Sequence, residues 1–178
     1  MQQHWAFSSP RVNPSSREKE RVVREIKVEQ SMIVGLQVED VFAYVSNVEN
    51  LTDWVGAVIS VKKASPGDIR TGDVVRVTVR ILGRWSELTY EIIEYEPYHL
   101  ITFKSISGIA PGVFSWQFEA FERDRTRISQ EVVMQIHNDG RFPGMAESTL
   151  AGMASRQIKH DLLILKDLLE SYISSEAG

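Results

Sequence analysis

Across the middle of the chain apolar residues recur at every second position, the spacing of strands with one buried face. In Val74–Ile81 the apolar set is Val75, Val77, Val79 and Ile81, while Arg76, Thr78 and Arg80 take the other face. Ser86–Ile92 repeats this with Leu88, Tyr90 and Ile92 against Glu87, Thr89 and Glu91. Folding the two runs across a turn at Leu82-Gly83 predicts Val77 opposite Leu88 and Val75 opposite Tyr90. It also sets Arg76 and Arg80 near Glu87 and Trp85 opposite Arg80, where a cation–π contact is expected. A one-residue slip would reverse every face, so agreement on both faces supports this pairing.

The alternation continues in Ile101–Ser105, after a turn at Glu94-Tyr95-Glu96-Pro97, with Phe103 predicted beside Tyr90 and Ser105 beside Leu88. Phe114, Trp116, Phe118 and Ala120 share a face, as do Ile128, Gln130, Val132, Met134 and Ile136. A hairpin around Asp124 then brings Trp116 to Val132 and Phe118 to Gln130. Upstream, a weak alternation at Glu25–Glu29 predicts a first strand within Arg24–Val34. Helical spacing follows in Val38–Val45, a second short helix in Asn47–Trp54, and a strand in Val55–Ala64 ended by Ser65-Pro66-Gly67-Asp68. From Pro143 to about Ser174 the period becomes helical, with Ala151, Ala154, Ile158, Leu162, Leu165, Leu169 and Tyr172 on one stripe and Pro143 in the first turn. The predicted class is α+β: an antiparallel meander whose apolar face is covered by one long C-terminal helix.

At 178 residues the chain is the size of one domain. Residues 1–21, rich in Ser, Pro, Arg and Glu, read as a mobile arm, and residues 22–178 as the domain. The 20 basic and 24 acidic residues are dispersed and leave a net charge of −4, which argues against nucleic acid as a partner. No run approaches the ~20 apolar residues of a membrane span, so stable membrane insertion is not expected. Met1–Glu20 lacks the apolar core of a signal peptide and there is no cysteine, which makes the cytoplasm the expected location. Monomer and homodimer are equally open.

Motifs for phosphate loops, helical zinc sites and nucleophile elbows are absent, and His4, His99, His137 and His160 lack metal-ligand spacing. Neither a metal nor a cofactor is expected. His137 ends a strand and is a candidate general base if it points inward. His160 and Asp161, adjacent on a helix, face different directions and form no dyad; Asp161 reads as solvated or paired. Tyr90, Phe103, Phe114, Trp116, Phe118, Met134 and Met153 offer more aromatic and thioether surface than a tight sheet-on-helix core requires. They either fill the core or line a gap beneath the helix that is open to a small apolar ligand. Met134, Met145 and Met153 suit such a lining because their flexible stems adapt to an occupant. By parity Ser86, Tyr90, Ser105 and Gln130 are polar side chains on the inward face, where an unpartnered polar group is costly. Gln130 can both donate and accept, so it is a ligand contact or else bonds a neighbouring hydroxyl or water. Tyr90 orients a ligand carbonyl or bonds the backbone.

Certain stretches carry a family resemblance. Val38-Glu39-Asp40-Val41-Phe42-Ala43-Tyr44-Val45-Ser46-Asn47-Val48-Glu49-Asn50, leading to Trp54, resembles the opening of the polyketide cyclase/dehydrase and lipid-transport branch of the START-like (SRPBCC) superfamily. Gly72-Asp73, Glu94-Tyr95-Glu96-Pro97, Trp116-Gln117-Phe118 and Thr126-Arg127-Ile128 match that branch's punctuation. The resemblance spans Arg24–Ser174. It implies the helix-grip fold, a curved antiparallel β-sheet wrapped around a long C-terminal α-helix with two short helices after the first strand. It also implies a cavity between sheet and helix, used by different members for lipids, hormones, pigments or reactive polyketide chains.

The function expected is binding of a hydrophobic or aromatic small molecule, polyketide-like or lipid, in that cavity, with cyclisation or dehydration if the protein is catalytic. The rivals are a non-catalytic lipid or quinone carrier and a protein-interaction module. The expected ligand-binding residues are Tyr90, Phe103, Trp116, Phe118, Gln130 and Met134 from the sheet, with Met145 and Met153 from the helix side. No catalytic residue is assigned, and Arg76 and Arg80 fall on the outer face.

Overall fold

The first strand, β1 (Val23–Val34), pairs not with its neighbour in sequence but with the last strand. The chain continues through α1 (Val38–Ser46), a single 3-10 turn at Val48–Asn50, and α2 (Leu51–Trp54). The meander follows as β2 (Val58–Lys63), β3 (Val74–Ile81), β4 (Arg84–Glu96), β5 (Leu100–Ser107), β6 (Gly112–Ala120) and β7 (Thr126–His137). It closes with α3 (Glu147–Glu176). The computed structural model describes residues 23–81, 83–109, 111–137 and 144–176, so the predicted arm at 1–21 and Pro143 lie outside the described residues.

The seven strands form one antiparallel sheet in the order β1-β7-β6-β5-β4-β3-β2. The sheet is curved: the rings of Tyr90 on β4 and Phe114 on β6 meet edge to face at 5.3 Å although β5 lies between them. With the long helix and the short helices after β1, this is the helix-grip fold, in the α+β class. α3 packs most extensively along β1 and touches α2. Its buried stripe is Leu150, Ile158, Leu162, Leu165 and Leu169, and Ala151 and Ala154 pack on the same core half-buried. α1 inserts Val41, Phe42 and Val45. Each such apolar side chain contributes on the order of 1.5–3 kcal/mol on burial.

The first hairpin has the predicted register. Val77 pairs with Leu88, Val75 with Tyr90 and Arg80 with Trp85. Val75, Val77 and Val79 are buried while Arg76 and Arg80 are exposed. Trp85 is 65% exposed, and no cation–π contact with Arg80 is found among the described residues.

Two later registers differ from the prediction by two residues. Ser105, not Phe103, lies opposite Tyr90, and Phe103 lies opposite Ile92. β4 runs on to Glu96, so the turn falls at Pro97–His99, with Tyr98 at φ 65. In the last hairpin Trp116 pairs with Gln130 and Phe118 with Ile128. There the turn is closed by the Phe121 N–H donating to the Arg125 carbonyl at 2.8 Å, with Glu122 and Asp124 both at positive φ. A slip of two preserves every face, so the inward and outward sets survive while the neighbours change. α3 begins at Glu147, later than the predicted Pro143, because Gly144 takes φ 70 and Ala146 provides the carbonyl that accepts from the Thr149 and Leu150 N–H groups.

Candidate functional site

A pocket of about 230 Å³ opens against the concave face of the sheet. Its sheet walls come from Val75, Val77, Val79 and Ile81 on β3, Leu88 and Tyr90 on β4, Phe103 on β5, Phe114 and Trp116 on β6, and Gln130 and Met134 on β7. The corner between α2 and β2 closes it with Leu51, Val55, Ala57 and Val58. Phe103 stands edge-on to Trp116 at 5.0 Å, and Trp54 of α2 rests on Trp116 at 5.6 Å. The Trp that ends the short helices therefore packs them onto the pocket's rear wall.

Five of the eight predicted residues, Tyr90, Phe103, Trp116, Gln130 and Met134, meet in this lining. Three do not. Phe118 lies one pleat beyond Trp116, where α1 covers the sheet, and its ring packs on Phe42 at 5.1 Å. Met153 is 38% exposed. At roughly 100° per residue, the five-residue step to Ile158 turns it ~140° from the buried stripe. Met145 packs half-buried against the core but is not a pocket residue. Among the described residues no α3 side chain lines the pocket, which lies beside the helix's main track along β1. Of the other inward polar candidates, Ser86 lies opposite Val79 outside the lining, and the Ser105 hydroxyl donates to the Ser107 carbonyl at 3.4 Å. His137 ends β7, and its side chain lies outside the described residues.

Among the described residues the lining carries no charged side chain; its polar groups are the Tyr90 phenol, the Gln130 amide and the Trp116 indole N–H. Burial pushes the Tyr90 phenol well above its usual range, so it is a neutral donor or acceptor and not a base. Trp116 Nε1 and Gln130 Oε1, on directly paired residues, are both buried without a hydrogen-bond partner, as is Trp54 Nε1. Such atoms are costly to bury alone, at about 1–3 kcal/mol each. Among the described residues no cluster of His, Asp or Glu could hold a metal ion.

Sequence reasoning missed the corner residues and the group that holds the corner. Asp161 of α3 is 4% exposed. Its Oδ1 accepts from the Gly56 N–H at 3.1 Å and from Gln157 Nε2 at 2.8 Å, while exposed His160 comes no nearer than 4.0 Å. Position was the available signal: Asp161 falls three residues after Ile158 and four before Leu165, within the apolar stripe.

The sequence model of the family described as polyketide cyclase / dehydrase and lipid transport matches residues 25–170. The chain belongs to this family. Its opening in α1, its turn residues and its sheet face are thus those of a family member. No curated protein matches the chain in sequence. Among solved structures, the chain is similar to the Zhui aromatase/cyclase from Streptomyces sp. R1128, at a TM-score of 0.71 and 16% identity over 87% of this chain and 99% of that one. A START superfamily protein from Mycobacterium smegmatis superposes at 0.69 with 13% identity, covering 82% of this chain and 98% of the other. A protein from Thermus thermophilus superposes at 0.68 with 15% identity, covering 82% and 98%. At these identities the likeness establishes the fold. No helix among the described residues is long and apolar enough to cross a membrane.

Proposed function

We propose that this protein binds a hydrophobic or aromatic small molecule in the pocket between the sheet and the α2–β2 corner. The observation that carries the reading is the pocket itself: about 230 Å³ walled by aliphatic and aromatic side chains, with a phenol and an amide among its few polar groups. Burial of apolar ligand surface supplies the affinity, and the few polar groups set orientation. A cavity of this volume weighs against a protein-interaction module whose fold merely displays an outer surface.

Family membership supports polyketide-like guests and a cyclase/dehydrase activity. In such a reaction Tyr90 and Gln130 would hold carbonyl oxygens while the walls fix the fold of the chain, a gain from positioning. The described lining has no charged side chain and so no acid–base pair, which favours the second reading, a non-catalytic carrier of the same class of guest. The cysteine-free composition agrees with cytoplasmic action, as a monomer or homodimer.

The test is native mass spectrometry of the purified protein followed by organic extraction. A copurifying small aromatic or hydrophobic compound, released on denaturation, is the expected result. Protein that carries nothing and takes up no apolar probe would overturn the proposal. Gln130→Leu then separates the two readings, because a cyclase loses turnover while a carrier keeps its guest.

A further inference from the structure

We propose that the end of the sheet formed by β2, β3 and the start of β4 docks on an anionic membrane surface, with Trp85 at the interface and Arg80 and Arg84 among the headgroups. Charge distribution is the first ground. Residues 54–67 and 74–86 hold Lys62, Lys63, Arg76, Arg80 and Arg84 and not one Asp or Glu, in a chain whose net charge is −4. The fold gathers these cations, since β2 pairs with β3 and β3 with β4.

The cations are also left uncompensated. Lys62 and Arg76 lie directly opposite each other across β2 and β3, both exposed, a like-charge pairing that costs a sheet stability. Arg76, Arg80 and Arg84 make no ion pair among the described residues, and Glu87, on the same face opposite Thr78, neutralises none of them. A partner of opposite charge relieves that repulsion.

The apolar residues decide the kind of partner. Trp85, directly opposite Arg80, is 65% exposed, and Ile59, in the bulge of β2, is 42% exposed. An acidic polymer needs only the cations. A bilayer surface takes both, the amphipathic indole settling at headgroup level and the arginines meeting anionic lipid. Ile81, which lines the pocket, pairs with Arg84, so docking here brings a wall of the pocket to the lipid phase, where apolar compounds concentrate. Such contact is peripheral and reversible, and it requires no membrane-crossing helix.

Co-sedimentation of the full chain with phosphatidylcholine vesicles, with and without phosphatidylserine, tests this. The expected result is binding at least ~10-fold stronger to the phosphatidylserine vesicles and lost as salt is raised, because each cation at such a surface is worth about a fivefold change. Arg80→Gln combined with Arg84→Gln is expected to weaken that binding at least ~10-fold. Tryptophan emission should shift to the blue on binding, and Trp85→Phe should remove the shift. These three positions are exposed, so the variants should unfold at the wild-type midpoint. Equal binding to both vesicle types, or to neither, would overturn the proposal. So would anionic-vesicle binding that survives the arginine changes, or an emission shift that survives Trp85→Phe. Capture by polyglutamate without vesicle binding would also overturn it, since the partner would then be an acidic polymer. None of these outcomes touches the ligand-binding reading, which the copurification experiment decides.

Discussion

Asp161 Oδ1 lies 3.1 Å from the backbone N–H of Gly56, so one carboxylate on the long helix holds the corner that closes the pocket. Asp161→Ala leaves that N–H without its acceptor and is expected to cost about 1–3 kcal/mol in equilibrium denaturation. Asp161→Asn keeps an oxygen in the accepting position and should lose less. Equal losses in the two variants would show that the carboxylate charge, not the hydrogen bond, secures the corner.

The same group gives a pH dependence of definite sign. Burial pushes the Asp161 carboxyl above its usual range, and the bonds from Gly56 and Gln157 only partly oppose this. Its folded pKa therefore exceeds the unfolded value of 3.8, so the folded protein holds this proton more tightly than the unfolded chain. The associated stabilisation is complete below 3.8 and is lost as pH rises through the folded value. Denaturation of wild type and Asp161→Asn from roughly pH 3.5 to 7 should show the wild type losing stability relative to the variant across that window, then running parallel. A relative gain with rising pH would contradict the burial argument.

Tyr90 is expected to resist ionisation. In a spectrophotometric titration of folded protein, the Tyr90 phenol should remain neutral at pH values above the usual tyrosine range, and Tyr90→Phe should remove that late component. The variant keeps the ring contact with Phe114, so its unfolding midpoint should change little. An early-titrating Tyr90 would mean that water reaches the phenol freely.

Phe118 and Met153 should separate cleanly from the pocket residues. Phe118→Ala removes a fully buried ring packed on Phe42 and is expected to cost about 3–5 kcal/mol of stability. Met153→Ser, on the exposed side of α3, should stay within about 0.5 kcal/mol of wild type and leave ligand affinity unchanged. Weakened binding in Met153→Ser would return that residue to the site.

Gly112 is a backbone constraint at the pocket's edge. A Cβ there would meet the Val133 carbonyl oxygen and come within 3.1 Å of Met134 Cα, atoms of the paired strand that cannot rotate away. Gly112→Ala should therefore cost about 1–3 kcal/mol. Because Met134 lines the pocket, ligand affinity should fall with stability. An unchanged unfolding midpoint would show that β6 and β7 can part there without penalty.

Strand parity made the fold legible. Alternation placed Tyr90, Phe103, Trp116, Gln130 and Met134 on the inward face, and a two-residue slip cannot change a face. It can change neighbours, which is why the Trp116–Gln130 pairing became visible only once the turn after Ala120 was placed. Where the pocket ends along a strand is set by what covers it: α1 fills the space over Phe118 and leaves the space over Trp116 open. Periodicity in one segment carries no information about that cover. Met153 has a thioether that suits an apolar lining, while its angle on α3 turns it toward solvent. Asp161 reads from its position as solvated or paired, and its partner, the Gly56 N–H, lies 105 residues away in the chain, where no local pattern points to it.

The antiparallel ladder between β1 and β7 also bears on synthesis. Val23 finds its partner in His137, so the earliest strand emerges from the ribosome with its hydrogen-bonding edges bare and waits until almost the entire sheet has been translated. Ile26, Val28 and Val34 spend that interval without the cover they have in the finished fold. The nascent chain is thus most prone to self-association late in translation, and a shield over β1 would matter more to yield than to final stability.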